Sequence, residues 1–561
     1  MKKKRILSML IGAALISALA AGCSSSAGSS SADTSAAEGA SAGVPAASSD
    51  TNSTDSSVLR IGLDSDPPSY DPADFNSSRA TLACYSCYDT LLKFSEDGTE
   101  LLPDLAESWE QVDDTTYVYK IRQGVKFNDG TEMTADDVVF SLNRIMDPDT
   151  AASMSYLFES VESFEKTGDY ELTVKLKYPD ATWKFVPATS PCTIVSKAAV
   201  EAAGDEYGSI NSLTCVGTGP YKLESWSSGT EITLVKNENY WGDTSTQLWD
   251  KVVYSIIPDN TSMALAAQSG QLDYVHILGF EPEVFEMYKN IADMNFTTYA
   301  STTSSYIALN CAKAPFDDVN LRKACAYAID KASIAQAIGQ GYAHVSKGVP
   351  MPSTMFYMDE EAWNNALDNT IVDYTYDLDK AKEYLAKSAY PNGTEVTLYT
   401  TSSGKALAEI IQYQLGQIGV TVNINEMLKS ESYEISYGYK LDENGNRLYD
   451  IYCTGWLSDY LDPIGYLKPF WSSKSIYAGG ANQAVYSNEE VDKYIDSVYG
   501  LADDKERAAA EIEAFRLASE DCPYITLYDY DQPFALSKNY TLNEGPAWFW
   551  NFQVTDIAKA E

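Results

Sequence analysis

Between residues 379 and 424 the chain alternates helical and extended patterns, and this alternation restricts the fold more than any other feature. Residues 379–386 and 406–418 place apolar side chains at helical spacing, and residues 396–399 and 420–424 are short β-rich runs beside them. Strands separated by helices pair in parallel, and a parallel sheet needs helices on both faces. The predicted class is therefore α/β. The pattern extends in both directions. Val58-Leu59-Arg60-Ile61-Gly62-Leu63 alternates and runs into a polar, proline-bearing loop, an opening strand and turn. Residues 80–92 are apolar at helical spacing, residues 252–257 read as a strand, and residues 262–268 read as a helix closed by Gly270. Tyr306-Ile307-Ala308-Leu309-Asn310 is a strand, and in the helix after it Leu321, Ala324, Cys325 and Ala328 share one buried face. Residues 488–498 give a helix and residues 525–528 a further strand.

A chain of 561 residues has room for two to four domains with well-buried cores. Its 45% hydrophobic and 21% charged content marks a folded body rather than a disordered one. Eighty acidic residues against forty basic ones give a net charge of −40, which repels nucleic acid and anionic lipid, so neither is an expected partner. Only His276 and His344 are present, which argues against histidine-rich metal sites and histidine-based acid/base catalysis.

The amino terminus carries an address. Lys2-Lys3-Lys4-Arg5 precedes an apolar run over residues 6–21, too short to span a bilayer comfortably but suited to a secretory signal. Leu19-Ala20-Ala21-Gly22-Cys23 resembles a lipoprotein signal, in which cleavage before Cys23 follows lipidation of its thiol. It departs from that pattern at Ala20, where a leucine is usual. Removing residues 1–22 takes away four basic residues and no acidic one, leaving −44. Residues 24–57 hold no aromatic and no basic residue. They cannot bury enough apolar surface to offset ordering entropy, so they read as a flexible tether of roughly 30–35 Å end to end.

Eight cysteines follow Cys23, at 84, 87, 192, 215, 311, 325, 453 and 522, without a compact disulfide spacing. Cys84-Tyr85-Ser86-Cys87, on a predicted helix, reads as buried free thiols or a structural bridge before it reads as a redox pair. Gly217-Thr218-Gly219 lacks the following Gly-Lys-Ser/Thr of a phosphate loop and leads into a strand; Ser403-Gly404-Lys405-Ala406 fails the same test. Asp442-Glu443-Asn444-Gly445-Asn446 lacks calcium-loop spacing and reads as a hairpin turn.

Residues 102–141 are dense in local signals. Tyr117, Tyr119 and Ile121 alternate as a strand, Asp129-Gly130 makes a tight turn, and Thr134 with Asp137 comes close to a capping box. Further on, Gly455-Trp456-Leu457-Ser458-Asp459-Tyr460-Leu461-Asp462-Pro463 follows the β-rich run Asp450-Ile451-Tyr452-Cys453-Thr454. That order puts Asp459 just past the carboxyl end of a strand, where open α/β sheets bind ligands, with an indole three residues before it.

The segment from Gly455 resembles the tryptophan and aspartate loop of the extracellular solute-binding proteins of family 5, the oligopeptide- and dipeptide-binding receptors of ABC importers. The likeness covers essentially the whole chain after residue 57 and is most specific over residues 102–141. It continues through the Gly217 bend, Tyr240-Trp241-Gly242, the strand, helix and Gly270-Gln271-Leu272-Asp273 order, and Pro315-Phe316-Asp317-Asp318 with its following helix. The resemblance implies a two-lobed, periplasmic-binding-protein-like fold, type II in its large variant, with an extra subdomain and a hinge between lobes. It assigns 1–22 to the signal peptide, 23–57 to the lipidated cysteine and tether, and 58–90, 206–297 and 528–561 to lobe 1. Residues 91–205 become the extra subdomain and 298–527 lobe 2. It implies that Asp459 accepts a peptide's α-ammonium, that Trp456 flanks the first side chain, and that the backbone of Gly455 and Leu457 bonds the peptide as an added strand. The implied partners are a peptide ligand, the permease subunits of an importer, and the membrane through the lipid on Cys23. No catalytic residue, metal or cofactor is implied, the expected state is a monomer, and the expected location is the outer face of the cytoplasmic membrane or the periplasm.

Two other readings stay open. A receptor of the same fold could take another solute, such as a sugar, a metal chelate or a signalling peptide. A tethered hydrolase of peptides or glycans would need a nucleophile or an acid–base pair, and no Gly-x-Ser-x-Gly, His-Glu-x-x-His or cysteine and histidine signature stands out.

Overall fold

The computed structural model describes residues 57–561 except 76–77, 96–97, 278–280, 300, 302, 350, 352–354, 356–357, 459, 461, 478, 543–551 and 561; the side chains of 429 and 430 are also not described. The residues expected to form a signal peptide and tether, up to residue 56 and including Cys23, lie outside the described residues, as does Asp459.

Three sheets organise the chain. The first has seven strands in the order Met294–Tyr299, Gln532–Ser537, Tyr274–His276, Val58–Leu63, Lys251–Ile256, Glu231–Lys236 and Tyr221–Ser227. Its centre is parallel, Val58–Leu63 lying between Lys251–Ile256 and Tyr274–His276. The second has six strands: Ala343–Val345, Tyr524–Tyr530, Thr303–Leu309, Ile451–Leu457, Thr394–Thr401 and Val420–Met427. Here Thr394–Thr401 pairs in parallel with both of its neighbours, as the helix and strand alternation requires. The third is a four-stranded antiparallel sheet of Ala106–Asp113, Thr116–Ile121, Glu171–Leu176 and Val161–Gly168. Strand Met294–Tyr299 belongs to the first sheet and strand Thr303–Leu309 to the second, and the chain passes between the two sheets again at Asp531. On either side of these crossings the same two strands stay paired, Met294–Tyr299 with Gln532–Ser537 and Thr303–Leu309 with Tyr524–Tyr530.

Local chemistry accounts for most element boundaries. Tyr117, Tyr119 and Ile121 are buried on one face of their strand, as alternation demands. Thr134 and Asp137 complete a reciprocal capping box on helix Ala135–Met146. Leu321, Ala324, Cys325 and Ala328 form the buried stripe of helix Val319–Ala328. Asp442 accepts the amides of Asn444 and Asn446 at 2.9 and 2.8 Å and closes a hairpin turn between Leu441 and Arg447.

The helix expected over residues 80–92 is shorter. It spans Ser78–Cys84, passes into a single tight turn Tyr85–Cys87, and gives way to strand Leu92–Phe94. Tertiary contacts override the local periodicity, because the Cys87 carbonyl accepts the Gly219 amide at 3.2 Å and Ser86 accepts the Val554 amide at 3.0 Å. Gly217 and Gly219 lie so close to this turn that a Cβ would come within 2.2 Å of the Cys87 oxygen and 2.4 Å of the Tyr88 nitrogen. Between them, the Thr218 hydroxyl donates to Asp89 at 2.8 Å, and the Trp241 indole donates to the same carboxylate at 2.8 Å. The glycine pair thus serves close backbone packing.

All eight described cysteines are free thiols, Cys84 and Cys87 among the buried ones. Burial pushes both of these thiols well up, which withholds the thiolate that redox exchange requires. No helix among the described residues is long and apolar enough to cross a membrane.

Candidate functional site

The strand Ile451–Leu457 changes character along its length. Ile451 and Tyr452 are buried between strands on both sides, paired with Thr303–Leu309 on one edge and with Leu398 and Tyr399 on the other. Beyond Tyr452 only the first edge stays paired. Over residues 453–457 the second edge meets no strand among the described residues. Gly455 is exposed and sits opposite Ser305, where a Cβ would come within 2.8 Å of the Ser304 carbonyl. Trp456 and Leu457, both half-buried, lie opposite Ser304 and Thr303.

These two side chains sit at the junction of the molecule's parts. Leu457 packs against the apolar core of the first sheet. Trp456 packs on the cluster that joins the third sheet to the second, edge-on to Phe470 at 5.0 Å, and its Nε1 has no hydrogen-bond partner among the described residues.

The loop after the strand is held from beneath. Ser458 is fully buried and donates to the Tyr460 carbonyl at 2.8 Å. Asp462 accepts the Ile464 amide at 3.0 Å at the start of helix Ile464–Trp471. Its other oxygen pairs with Arg507 of helix Asp504–Asp521, and neither side chain is exposed to solvent. Glu511 follows one turn along, its carboxyl pushed well up by burial and then by neighbouring Asp462.

A cavity of about 420 Å³ opens beside this loop. On one side it is walled by Trp456, Leu457, Tyr460 and helix Ile464–Trp471, with Tyr433, Tyr437, Tyr477 and Tyr499 around them. Tyr156, Leu157, Glu159, Ser160, Tyr178 and Asp180, which flank the third sheet, supply the other side. Contacts across it tie the walls together. Lys468 meets Glu159 at 2.6 Å, Phe185 stacks on Tyr460 with ring centroids 5.6 Å apart, and the Ala181 amide donates to the Tyr499 carbonyl at 2.8 Å. Asp180 accepts the amide and the hydroxyl of Thr182 at 2.9 and 2.6 Å. Burial, reinforced by Glu159 and Asp180, pushes the Tyr178 phenol up to about 12, so it presents a neutral ring and a hydroxyl. Among the described residues no cluster of histidine, cysteine and carboxylate groups could hold a metal ion.

Of the four ligand-binding residues expected from the sequence, Trp456 and Leu457 line the cavity, Gly455 lies on the unpaired stretch of strand, and Asp459 is not described. The strand does end at Leu457, two residues before Asp459. Sequence reasoning did not find the tyrosine walls, Ser160, the Lys468–Glu159 pair or the Asp462–Arg507 support. The abundance of tyrosine, 40 in all, was the available signal for the first of these.

A family model described as bacterial extracellular solute-binding proteins, family 5 Middle, matches residues 100–478. The chain is 32% identical over 469 residues to heme-binding protein A of Haemophilus influenzae, covering 78% of this chain and 80% of that one. It is 28% identical over 486 residues to the glutathione-binding protein GsiB of Escherichia coli K12, covering 86% and 90%. Among solved structures, the ABC transporter-associated periplasmic binding protein DppA of Helicobacter pylori, in complex with the peptide STSA, matches with a TM-score of 0.76 at 26% identity, over 90% of this chain and 98% of that one. The oligopeptide-binding protein AppA of Bacillus subtilis, in complex with a nonapeptide, shares the fold with a TM-score of 0.73 at 24% identity, over 90% and 99%.

Proposed function

The chain belongs to the bacterial extracellular solute-binding proteins of family 5, the ligand-binding components of ABC importers, and from that premise we propose that its solute is an oligopeptide or dipeptide. The observation that carries this reading is the unpaired edge of strand Ile451–Leu457 over residues 453–457, beside the Trp456 cavity. An extended peptide laid along such an edge bonds through its main chain, which accepts many sequences alike. Asp459, two residues beyond the strand, is the proposed partner of the peptide's ammonium, Trp456 flanks the first side chain, and Gly455 and Leu457 supply backbone bonds.

The two larger sheets are the proposed lobes, and the third sheet is the extra subdomain of the first lobe. A ligand that binds the closed arrangement more tightly supplies the drive for closure, and the closed receptor delivers it to a membrane permease. We infer further that Cys23 is lipidated after removal of residues 1–22, that residues 24–57 tether the body to the membrane, and that it works as a monomer. The pattern at residues 19–23 supports the anchor.

Titration calorimetry on Asp459→Ala, with free and amino-acetylated peptides, tests the proposal. Losing one member of a buried ion pair costs about 3–5 kcal/mol, roughly two to four decades in affinity. Weakening of at least about tenfold for the free peptide, with poor binding of the acetylated form to the unmodified protein, is the expected result. Equal affinities would remove Asp459 from the site. A non-peptide solute seen by native mass spectrometry of the purified protein would overturn the peptide reading and leave the importer role standing.

A further inference from the structure

The wall that the third sheet contributes to the cavity has a chemistry of its own. Among the described residues Glu159 is paired with Lys468, the single basic residue of the lining, and Asp180 accepts hydrogen bonds from Thr182. Among the described residues no lining cation is left to receive a ligand carboxylate, and the Glu159 and Asp180 carboxylates with a single lysine between them leave the lining net negative, which disfavours an acidic side chain. The faces on offer are rings. Tyr178 projects from the third-sheet side and Tyr477 and Tyr433 from the opposite side, 41%, 57% and 56% exposed. Two buried polar atoms also lack partners among the described residues, the Ser160 hydroxyl, in a residue only 2% exposed, and the Trp456 indole N–H. One belongs to the third-sheet wall and the other to the strand end, and both residues line the same cavity. Buried polar atoms are rarely left unmade, so a ligand group with a hydrogen-bonding atom is the partner they fit.

Resting on the reading that this cavity receives the peptide, we propose that the third-sheet wall is a side-chain selector, taking an aromatic side chain with a polar rim, a phenol or an indole, between the tyrosines and excluding acidic side chains. Main-chain docking along residues 453–457 is indifferent to sequence, so the selection comes from this second wall.

The test is a calorimetric series of tripeptides in an alanine background, with tyrosine, tryptophan, phenylalanine, alanine or glutamate placed in turn at each of the three positions. At one position tyrosine and tryptophan should bind about tenfold more tightly than alanine, the scale of one or two favourable ring contacts, with phenylalanine between them and glutamate weakest. The ratio of tyrosine to alanine peptide is the decisive quantity, because misfolding lowers both affinities together. Tyr477→Ala should bring that ratio within threefold, Tyr477→Phe should restore it, and Ser160→Ala should erase the advantage of tyrosine over phenylalanine. Equal affinities at every position, or a tyrosine-to-alanine ratio that survives Tyr477→Ala unchanged, would overturn the selector and leave the peptide receptor intact. Failure of every tripeptide to bind would overturn both.

Discussion

Replacing Arg507 by alanine asks whether the loop after strand Ile451–Leu457 is held from behind by a buried ion pair. Arg507 and Asp462 are both fully buried, and the second oxygen of Asp462 keeps the Ile464 amide at 3.0 Å. Without the guanidinium the carboxylate retains that one backbone donor and loses its counter-charge, while Glu511 beside it, whose carboxyl is pushed up by burial and then by Asp462, offers no positive charge. Breaking a buried pair from one side costs about 3–5 kcal/mol, a large share of the roughly 5–15 kcal/mol by which folded proteins are stable. Removing both charges together is different in kind, because the desolvation penalty of each ion goes with it. The double variant Asp462→Asn with Arg507→Met should therefore regain more than half of what Arg507→Ala loses. Urea unfolding at pH 7, followed by tryptophan fluorescence, gives both quantities from the transition midpoints and slopes. A single variant costing under about 1 kcal/mol, or a double variant as unstable as the sum of its two single changes, would refute the account of the pair. Trp456, Leu457 and Tyr460 belong to the strand and loop that this pair supports, so the single variant should also weaken ligand binding.

Two further expectations follow from packing and burial. Asp529 is pushed up to about 7 by burial, against the pull of the Ser346 hydroxyl at 2.9 Å and of His344 and Lys331. Its carboxyl holds a proton in the folded state where the unfolded chain has released it. The stability it lends is thus full below about pH 4 and is lost as pH rises through about 7, at about 1.4 kcal/mol per pH unit. Asp529→Asn should flatten the fall in unfolding free energy between about pH 4 and 7, and an unchanged pH profile would count against that assignment. Gly219→Ala would bring a Cβ within 2.4 Å of the Tyr88 nitrogen and 2.5 Å of the Cys87 carbonyl carbon, backbone atoms that cannot rotate away. It should cost more than the usual 1–3 kcal/mol of overpacking, whereas Gly416→Ala, with nothing within 4 Å on its helix, should be near neutral. Thermal unfolding compares the two, and equal midpoints would mean that the Gly217–Gly219 contact is misjudged.

The alternation that defined the fold class was legible because each element carries its own period, and the parallel pairings of Thr394–Thr401 follow from it. Caps were legible for the same reason: Thr134 and Asp137 lie three residues apart. The helix over residues 80–92 was overextended because what stops it, the Gly219 amide on the Cys87 carbonyl, comes from more than a hundred residues away. The candidate site divides in the same way. Trp456 and Leu457 were expected from the resemblance carried by one contiguous strand and loop, and both line the cavity. Tyr178, Tyr433 and Tyr477 converge from separate segments with no common spacing, and among 40 tyrosines nothing local singles them out. Arg507 and Glu511 left a faint trace, two charged residues four apart among Ala508, Ala514 and Phe515 on the buried face of their helix.

The strand edge left bare over residues 453–457 has a rhythm built into it. Main-chain donors and acceptors point toward a given neighbour only at every second residue. A guest laid beside it is therefore gripped at alternate positions, and between grips its amides face away. Proline, which has no amide proton to give, fits at the ungripped positions and not at the others. Tolerance of proline along a guest would read out, residue by residue, the register in which it is held.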